Sequence, residues 1–313
     1  MKKLACVFPG QGSQAVGMLG ELGAAFPVVR HTFEEASDAL GLDLWRLAQE
    51  GPAQELNRTE RTQPALLAAG VAVWRVWREQ GGPAPAALAG HSLGEYTALV
   101  CAGSLGLAEA VRLVAARGRY MQEAVPEGQG AMAAVMGLRD GQVEALCREA
   151  SAGGEVVVPA NYNAPGQVVV AGHAGAVERA VAAARAAGAK RVVPLAVSAP
   201  SHSPLMAPAA RRLAEDLAAL AWRSPEPPVI HNVDASPHPE PEALRGALER
   251  QLTEPVRWTA CVERLAAEGA EAVVECGPGK VLCGLVRRIR RELAALPLHD
   301  PASLEAALEA VAA

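Results

Sequence analysis

Residues 88–101 read LAGHSLGEYTALVC. The apolar run PAALAG (85–90) closes on Gly90, and His91-Ser92-Leu93-Gly94 leads into a second apolar stretch with helical spacing. An apolar run, a tight turn and a helix form the unit from which parallel sheets flanked by helices are built. Gly90 to Gly94 also fit G-x-S-x-G, in the strand-to-helix context that this motif requires. Small residues on both sides permit a turn sharp enough to expose the serine oxygen. The free N–H groups of a helix beginning at Leu93 then face any oxyanion bound beside it. The competing reading is a helix-capping serine between glycines kept small for close packing.

Working outward, the same pattern recurs. LACVF (4–8) is a short apolar run stopped by Pro9-Gly10 and reads as a buried strand. Helical pattern follows to about residue 40, with a break near Pro27. Residues 64–79 read as a helix with a proline at its start, ended by Gly81-Gly82-Pro83. In the helix read over 107–125, a rotation of about 100° per residue puts Ala110, Leu113, Val114, Arg117 and Met121 on one face. Arg112 and Arg119 fall on the opposite face as ordinary solvated charges. An inward-facing Arg117 requires an anion, because a buried unpaired charge costs several kcal/mol.

The pattern changes near residue 128. Segments 131–137, 155–162, 166–172 and 189–197 read as strands, and 140–150 and 176–188 as helices. The order β-α-β-β-α-β is the split ferredoxin-like unit. Residues 128–197 are therefore expected to form a small subdomain inserted into a larger α/β domain made of 1–127 and 198–313. After the insert, Ser203-Pro204 has the form of an N-cap and first-turn pair, with His202 in the loop before it. PPVIHNVDA (227–235) reads as a strand, 262–270 as a helix and EAVVECG (271–277) as the last strand. Gly277-Pro278-Gly279 then turns into a helix carrying Lys280, Arg287, Arg288 and Arg290. Beyond about residue 291 the pattern is uninformative.

Composition narrows the function. The 313 residues carry a net charge of −5 with both signs interspersed, so there is no basic stripe of the kind that binds nucleic acid. No uncharged apolar stretch is long enough to span a membrane, and LACVF is too short for a signal-peptide core. A cytoplasmic location is the expectation. Six cysteines occur without a CxxC pair and read as buried reduced thiols rather than disulfides or a metal site.

A nucleophilic serine needs a base. His91 is too close in so tight a turn and is expected to point away. His31, His173, His238 and His299 lie in an early helix, the small unit or polar surroundings. His202 and His231 remain. His202 follows the serine on a loop, the chain order of α/β hydrolases, but spacing alone barely separates it from His231. FPGQGSQ (8–14) sets a Gly-rich loop at the carboxyl end of a strand, where α/β sheets bind ligands. It lacks the third glycine of a dinucleotide loop, and GPGK (277–280) lacks the spacing of a phosphate loop.

Eight segments occur in one order: FPGQGSQ, GHSLGEY, the helix with Arg117, GAMAAVMGL, NYNAPGQVVVAG, Ser201-His202, QLTEPVRW (251–258) and GPGKVL (277–282). Together they resemble the malonyl-CoA:acyl carrier protein transacylases of bacterial fatty-acid synthesis, from residue 3 to about 290. The resemblance implies an α/β-hydrolase-like large domain with a ferredoxin-like insert. It implies that Ser92 attacks the malonyl thioester, that His202 is its base, and that backbone N–H groups of Leu93 and Gln11 form the oxyanion hole. Arg117 would hold the malonyl carboxylate. The backbone carbonyl of Gln251 would orient the histidine in place of an aspartate, and Asn161 and Asn163 would line the cleft. No metal or bound cofactor is implied. The substrates would be malonyl-CoA and phosphopantetheinylated acyl carrier protein, an acidic partner for which Lys190, Arg191, Lys280, Arg287, Arg288 and Arg290 are candidate contacts. The serine before His202 matches stand-alone enzymes; Ala199 and Cys276 are small local departures. A serine hydrolase and a non-catalytic carrier-binding module are the alternatives.

Overall fold

The apolar runs that precede the glycine turns become strands of a single parallel sheet. A computed structural model describes residues 2–196 and 199–312. Its strands are β1 (Leu4–Phe8), β2 (Ala87–Gly90), β3 (Gly130–Met136), β4 (Val157–Ala164), β5 (Gln167–His173), β6 (Arg191–Pro194), β7 (Val229–Ile230), β8 (Ala272–Cys276) and β9 (Ala294–Leu298). The large sheet has the order β7-β2-β1-β8-β9, with every neighbouring pair parallel. Strands β1, β2 and β8 are buried along their whole length. Continuous apolar character, rather than alternation, is what a sheet covered on both faces selects.

Successive β1 residues face opposite layers. Leu4, Cys6 and Phe8 pack with helices Pro27–Leu40, Thr59–Glu79, Leu93–Cys101, Leu107–Glu123 and Ala207–Ala219. Ala5 and Val7 pack with Trp258–Ala267 and Val281–Ile289. The turns after β1 and β2 press together at the carboxyl edge. A Cβ on Gly94 would lie 2.0 Å from the Phe8 carbonyl oxygen, and one on Gly90 would lie 1.8 Å from the Gly94 carbonyl carbon. Both glycines are therefore required by contact.

Residues 130–194 form a second, antiparallel sheet of order β4-β5-β3-β6. Helices Asp140–Ala150 and Ala174–Ala186 cover one face. Met132, Ala134, Ala160, Val169 and Ala171 cluster on the other. The β-α-β-β-α-β order is the expected one. β4 joins the small unit to the large one: Tyr162 N–H donates to the Val256 carbonyl and Val256 N–H to the Ala160 carbonyl, both at 2.9 Å.

Several local expectations need correction. The helix read from residue 64 begins at Thr59, so Pro64 lies inside it. The missing N–H deprives only the Glu60 carbonyl of its helical donor, close to the helix start. Segment 227–235 is a strand only at Val229–Ile230, because the chain turns at His231, whose carbonyl accepts from Ala235 N–H. EAVVECG is not the last strand: β9 pairs in parallel with β8, and a helix Pro301–Ala312 follows. AALPL is too short and too alanine-rich to show a period. Ser203 does not cap a helix; its hydroxyl donates to the Pro200 carbonyl at 2.7 Å, and a 3₁₀ turn, Pro204–Met206, intervenes. The strand read at 189–197 covers Arg191–Pro194, and Val197 lies outside the described residues. All six cysteines are free, with only Cys101 less than fully buried. No helix among the described residues is long and apolar enough to cross a membrane.

Candidate active site

Ser92 stands first after β2 and His91, at φ 52° and ψ −108°. That backbone is strained for a non-glycine residue. It aims the side chain away from the helix that Ser92 precedes, and the serine makes no capping hydrogen bond. Instead Ser92 Oγ lies 2.8 Å from His202 Nε2. His202, at φ 59°, also sits in the left-handed region. Its Nδ1 is 2.6 Å from the Gln251 carbonyl oxygen. That oxygen can only accept, so Nδ1 carries the proton and Nε2 presents a lone pair to the serine hydroxyl. Burial and then the nearby Arg117 cation push the His202 pKa down to about 3, against the opposing effect of the Gln251 bond. The imidazole is neutral and ready to accept a proton.

His231 is not at the serine. Its Nδ1 bonds Glu95 Oε1 at 2.7 Å, in a buried polar layer behind the turn. Glu95 Oε2 accepts from Asn232 N–H at 2.9 Å and from Gln251 Nε2 at 3.0 Å. Asn232 in turn accepts from Ser92 N–H at 2.8 Å and donates to the Gly90 carbonyl at 2.7 Å. This layer holds the strained turn, and the sequence reading missed it. The available signals were the glutamate in GHSLGEY and the polar His231-Asn232 pair directly after an apolar strand.

Arg117 is 1% exposed, as its place on the inward face of Leu107–Glu123 predicts. Its Nη2 donates to Ser92 Oγ at 3.3 Å and to Gln251 Oε1 at 3.0 Å, and its Nη1 to Gln63 Oε1 at 2.9 Å. The Tyr96 ring lies 5.3 Å from its Cζ. None of these partners is a carboxylate. Burial lowers the Arg117 pKa below the usual guanidinium range, with Tyr96 and Glu95 opposing that shift.

A cavity of about 200 Å³ joins these groups, lined also by Gln11, Gln63, Leu93, Met132, Asn161, Asn163 and Val169. Among the described residues, neither Leu93 N–H nor Gln11 N–H has a protein acceptor. Leu93 opens a helix, so its amide and the helix dipole both favour developing negative charge at the cavity. His91 points away from the serine, with Nε2 2.7 Å from Asn163 Oδ1 and its ring against Trp258. Asn161 is buried at the junction where β4 meets Val256. Of the basic residues singled out, Lys190, Arg191, Lys280, Arg287 and Arg288 are exposed. Arg290 is paired with Glu263 and Glu292.

The arrangement places a serine bonded to a neutral imidazole, two backbone N–H groups without a protein acceptor and a buried cation around one small cavity. Comparison with known proteins agrees with that chemistry. The family model described as acyl transferase domain matches residues 5–302. Malonyl CoA-acyl carrier protein transacylase of Escherichia coli (strain K12) is 59% identical over 99% of this chain and 100% of its own. The solved structure of the malonyl CoA-acyl carrier protein transacylase of Coxiella burnetii superposes with a TM-score of 0.97 at 51% identity, over 99% of this chain and 98% of that one. A malonyl-transacylase in complex with its type II PKS acyl-carrier protein gives a TM-score of 0.96 at 56% identity, over 98% and 99%. The chain belongs to the acyl transferase family.

Proposed function

We propose that the protein moves the malonyl group from malonyl-CoA to the phosphopantetheine thiol of acyl carrier protein, supplying extender units for fatty-acid synthesis. Ser92 Oγ attacks the thioester carbonyl as His202 Nε2 takes its proton. Leu93 and Gln11 N–H groups receive the oxyanion. Collapse breaks the C–S bond, and the imidazolium returns the proton to the departing CoA sulfur. In the second half the carrier thiol gives its proton to Nε2 and attacks the serine ester, and Ser92 recovers the proton as it leaves. Arg117 holds the malonyl carboxylate through both halves. Residues 128–197, with Asn161 and Asn163 at their border, supply the wall facing 1–127 and 198–313. The acidic carrier docks on exposed lysines and arginines, for which Lys190, Arg191, Lys280, Arg287 and Arg288 are the candidates, and the reaction takes place in the cytoplasm. No metal or resident cofactor takes part.

One observation carries this reading: a serine–histidine pair stands 3.3 Å from a buried arginine that has no acidic partner at bonding distance among the described residues. A hydrolase would share the serine and histidine but pass the acyl group to water. Incubation with malonyl-CoA and no thiol acceptor separates the two. We expect one equivalent of CoA released per chain, then a stop until carrier is added. Continuous release at the initial rate would make the protein a hydrolase.

A further inference from the structure

The acceptors around Arg117 are amides where carboxylates would fit. Gln63 is 1% exposed and Gln251 is fully buried. Each points its Oε1 at the guanidinium, at 2.9 and 3.0 Å. The orientation of Gln251 is fixed from behind, because its Nε2 donates to Glu95 Oε2 at 3.0 Å and to the Ser92 carbonyl at 3.1 Å. Gln63 is less encumbered: among the described residues its Nε2 meets only the Met121 sulfur, at 3.5 Å, so the carbonyl end is the one that faces the cation. A glutamate at 63 would be isosteric and would close a buried ion pair with Arg117. The amide anchors the guanidinium equally well in geometry but leaves its charge uncompensated.

We propose that Gln63 is a specificity-determining residue, whose neutrality keeps Arg117 available to a carboxylate-bearing acyl group. The inference rests on the reading of Arg117 as the carboxylate holder. With an amide at 63, an incoming malonyl carboxylate is the first full negative charge at bonding distance from the guanidinium. With a carboxylate there, the substrate would be a second anion competing for one cation, and an uncharged acyl group would be favoured in relative terms.

The test compares kcat/KM for malonyl-CoA and acetyl-CoA in wild type, Gln63→Glu, Gln63→Met and Arg117→Ala. Gln63→Glu should lower the malonyl-to-acetyl ratio by at least about tenfold, the scale of one charge-assisted contact. Gln63→Met, which removes the anchor but adds no charge, should lower it by only about two- to threefold, well short of the glutamate effect. Retained acetyl transfer in Gln63→Glu reports that the fold and the serine–histidine pair survive. If the glutamate does not fold, Gln63→Asp places the same charge one methylene further back and is expected to change the ratio in the same direction. A wild-type ratio in Gln63→Glu, or equal losses in the glutamate and methionine variants, overturns the role of neutrality. If Arg117→Ala alters the ratio and Gln63→Glu does not, only this inference fails. If Arg117→Ala itself leaves the ratio unchanged, the reading beneath it fails as well.

Discussion

Replacing His202 by alanine is expected to slow malonyl transfer by about 10²- to 10⁴-fold, the usual contribution of a positioned general base. The histidine is the only side chain other than Arg117 that bonds Ser92 Oγ among the described residues, at 2.8 Å. Arg117 can only donate, so the variant has no acceptor for the serine proton. The loss should fall on acylation with malonyl- and acetyl-CoA alike, because His202 does not recognise the acyl group. The pH profile of wild type is a second readout of the same residue. Burial and the Arg117 cation both disfavour the imidazolium and set the folded pKa to about 3, below the ordinary histidine value of 6.5. The base therefore stays unprotonated as pH falls from 8 to 5, and kcat/KM for acylation should remain flat over that range. A fall with a midpoint near 6.5 would show a solvated histidine and contradict the buried pair.

The second large effect is on selectivity. Arg117→Ala should cut kcat/KM for malonyl-CoA by about ten- to a hundredfold, the value of a charge-assisted, two-pronged contact. Acetyl-CoA makes no such contact and should lose little. Arg117 is also one of the causes that hold the His202 pKa down. Its removal lets the imidazole become a stronger base for both acyl donors alike, a change that cancels in the malonyl-to-acetyl ratio. The malonyl-to-acetyl ratio therefore reads the lost carboxylate contact alone, and an unchanged ratio would exclude Arg117 from substrate recognition.

The fold was legible in the sequence wherever burial on both faces or glycine contact left a local mark. LACVF and PAALAG each end at a glycine turn, and a Cβ on Gly10, Gly90 or Gly94 would clash with neighbouring backbone. The helical stripe of Ala110, Leu113, Val114 and Met121 carries Arg117 on its inward face, where it is buried. β9 was not legible, because AALPL is too short and alanine-rich to show alternation; the helix after it left the signal Asp300-Pro301, with Asp300 Oδ1 accepting from Ser303 N–H at 2.7 Å, which the sequence reading passed over. At the site, the pattern supplied Ser92 and Arg117. The choice of His202 over His231 rested on the resemblance, since both histidines are buried and both bond an oxygen. The Glu95–His231–Asn232–Gln251 layer was invisible because its members lie 136, 137 and 156 positions from Glu95 in the chain. Only the folded sheet brings their polar atoms together, and no spacing rule spans such distances.

In the proposed reaction malonyl rests on one oxygen of the chain between the two half-reactions. This is tested most directly by the mass of the intact protein after malonyl-CoA is added without an acceptor, followed by peptide mapping. A single malonyl increment is expected on the peptide containing Ser92, discharged by carrier thiol and absent from Ser92→Ala. An increment that survives in Ser92→Ala, or that maps to another residue, would contradict the proposed reaction.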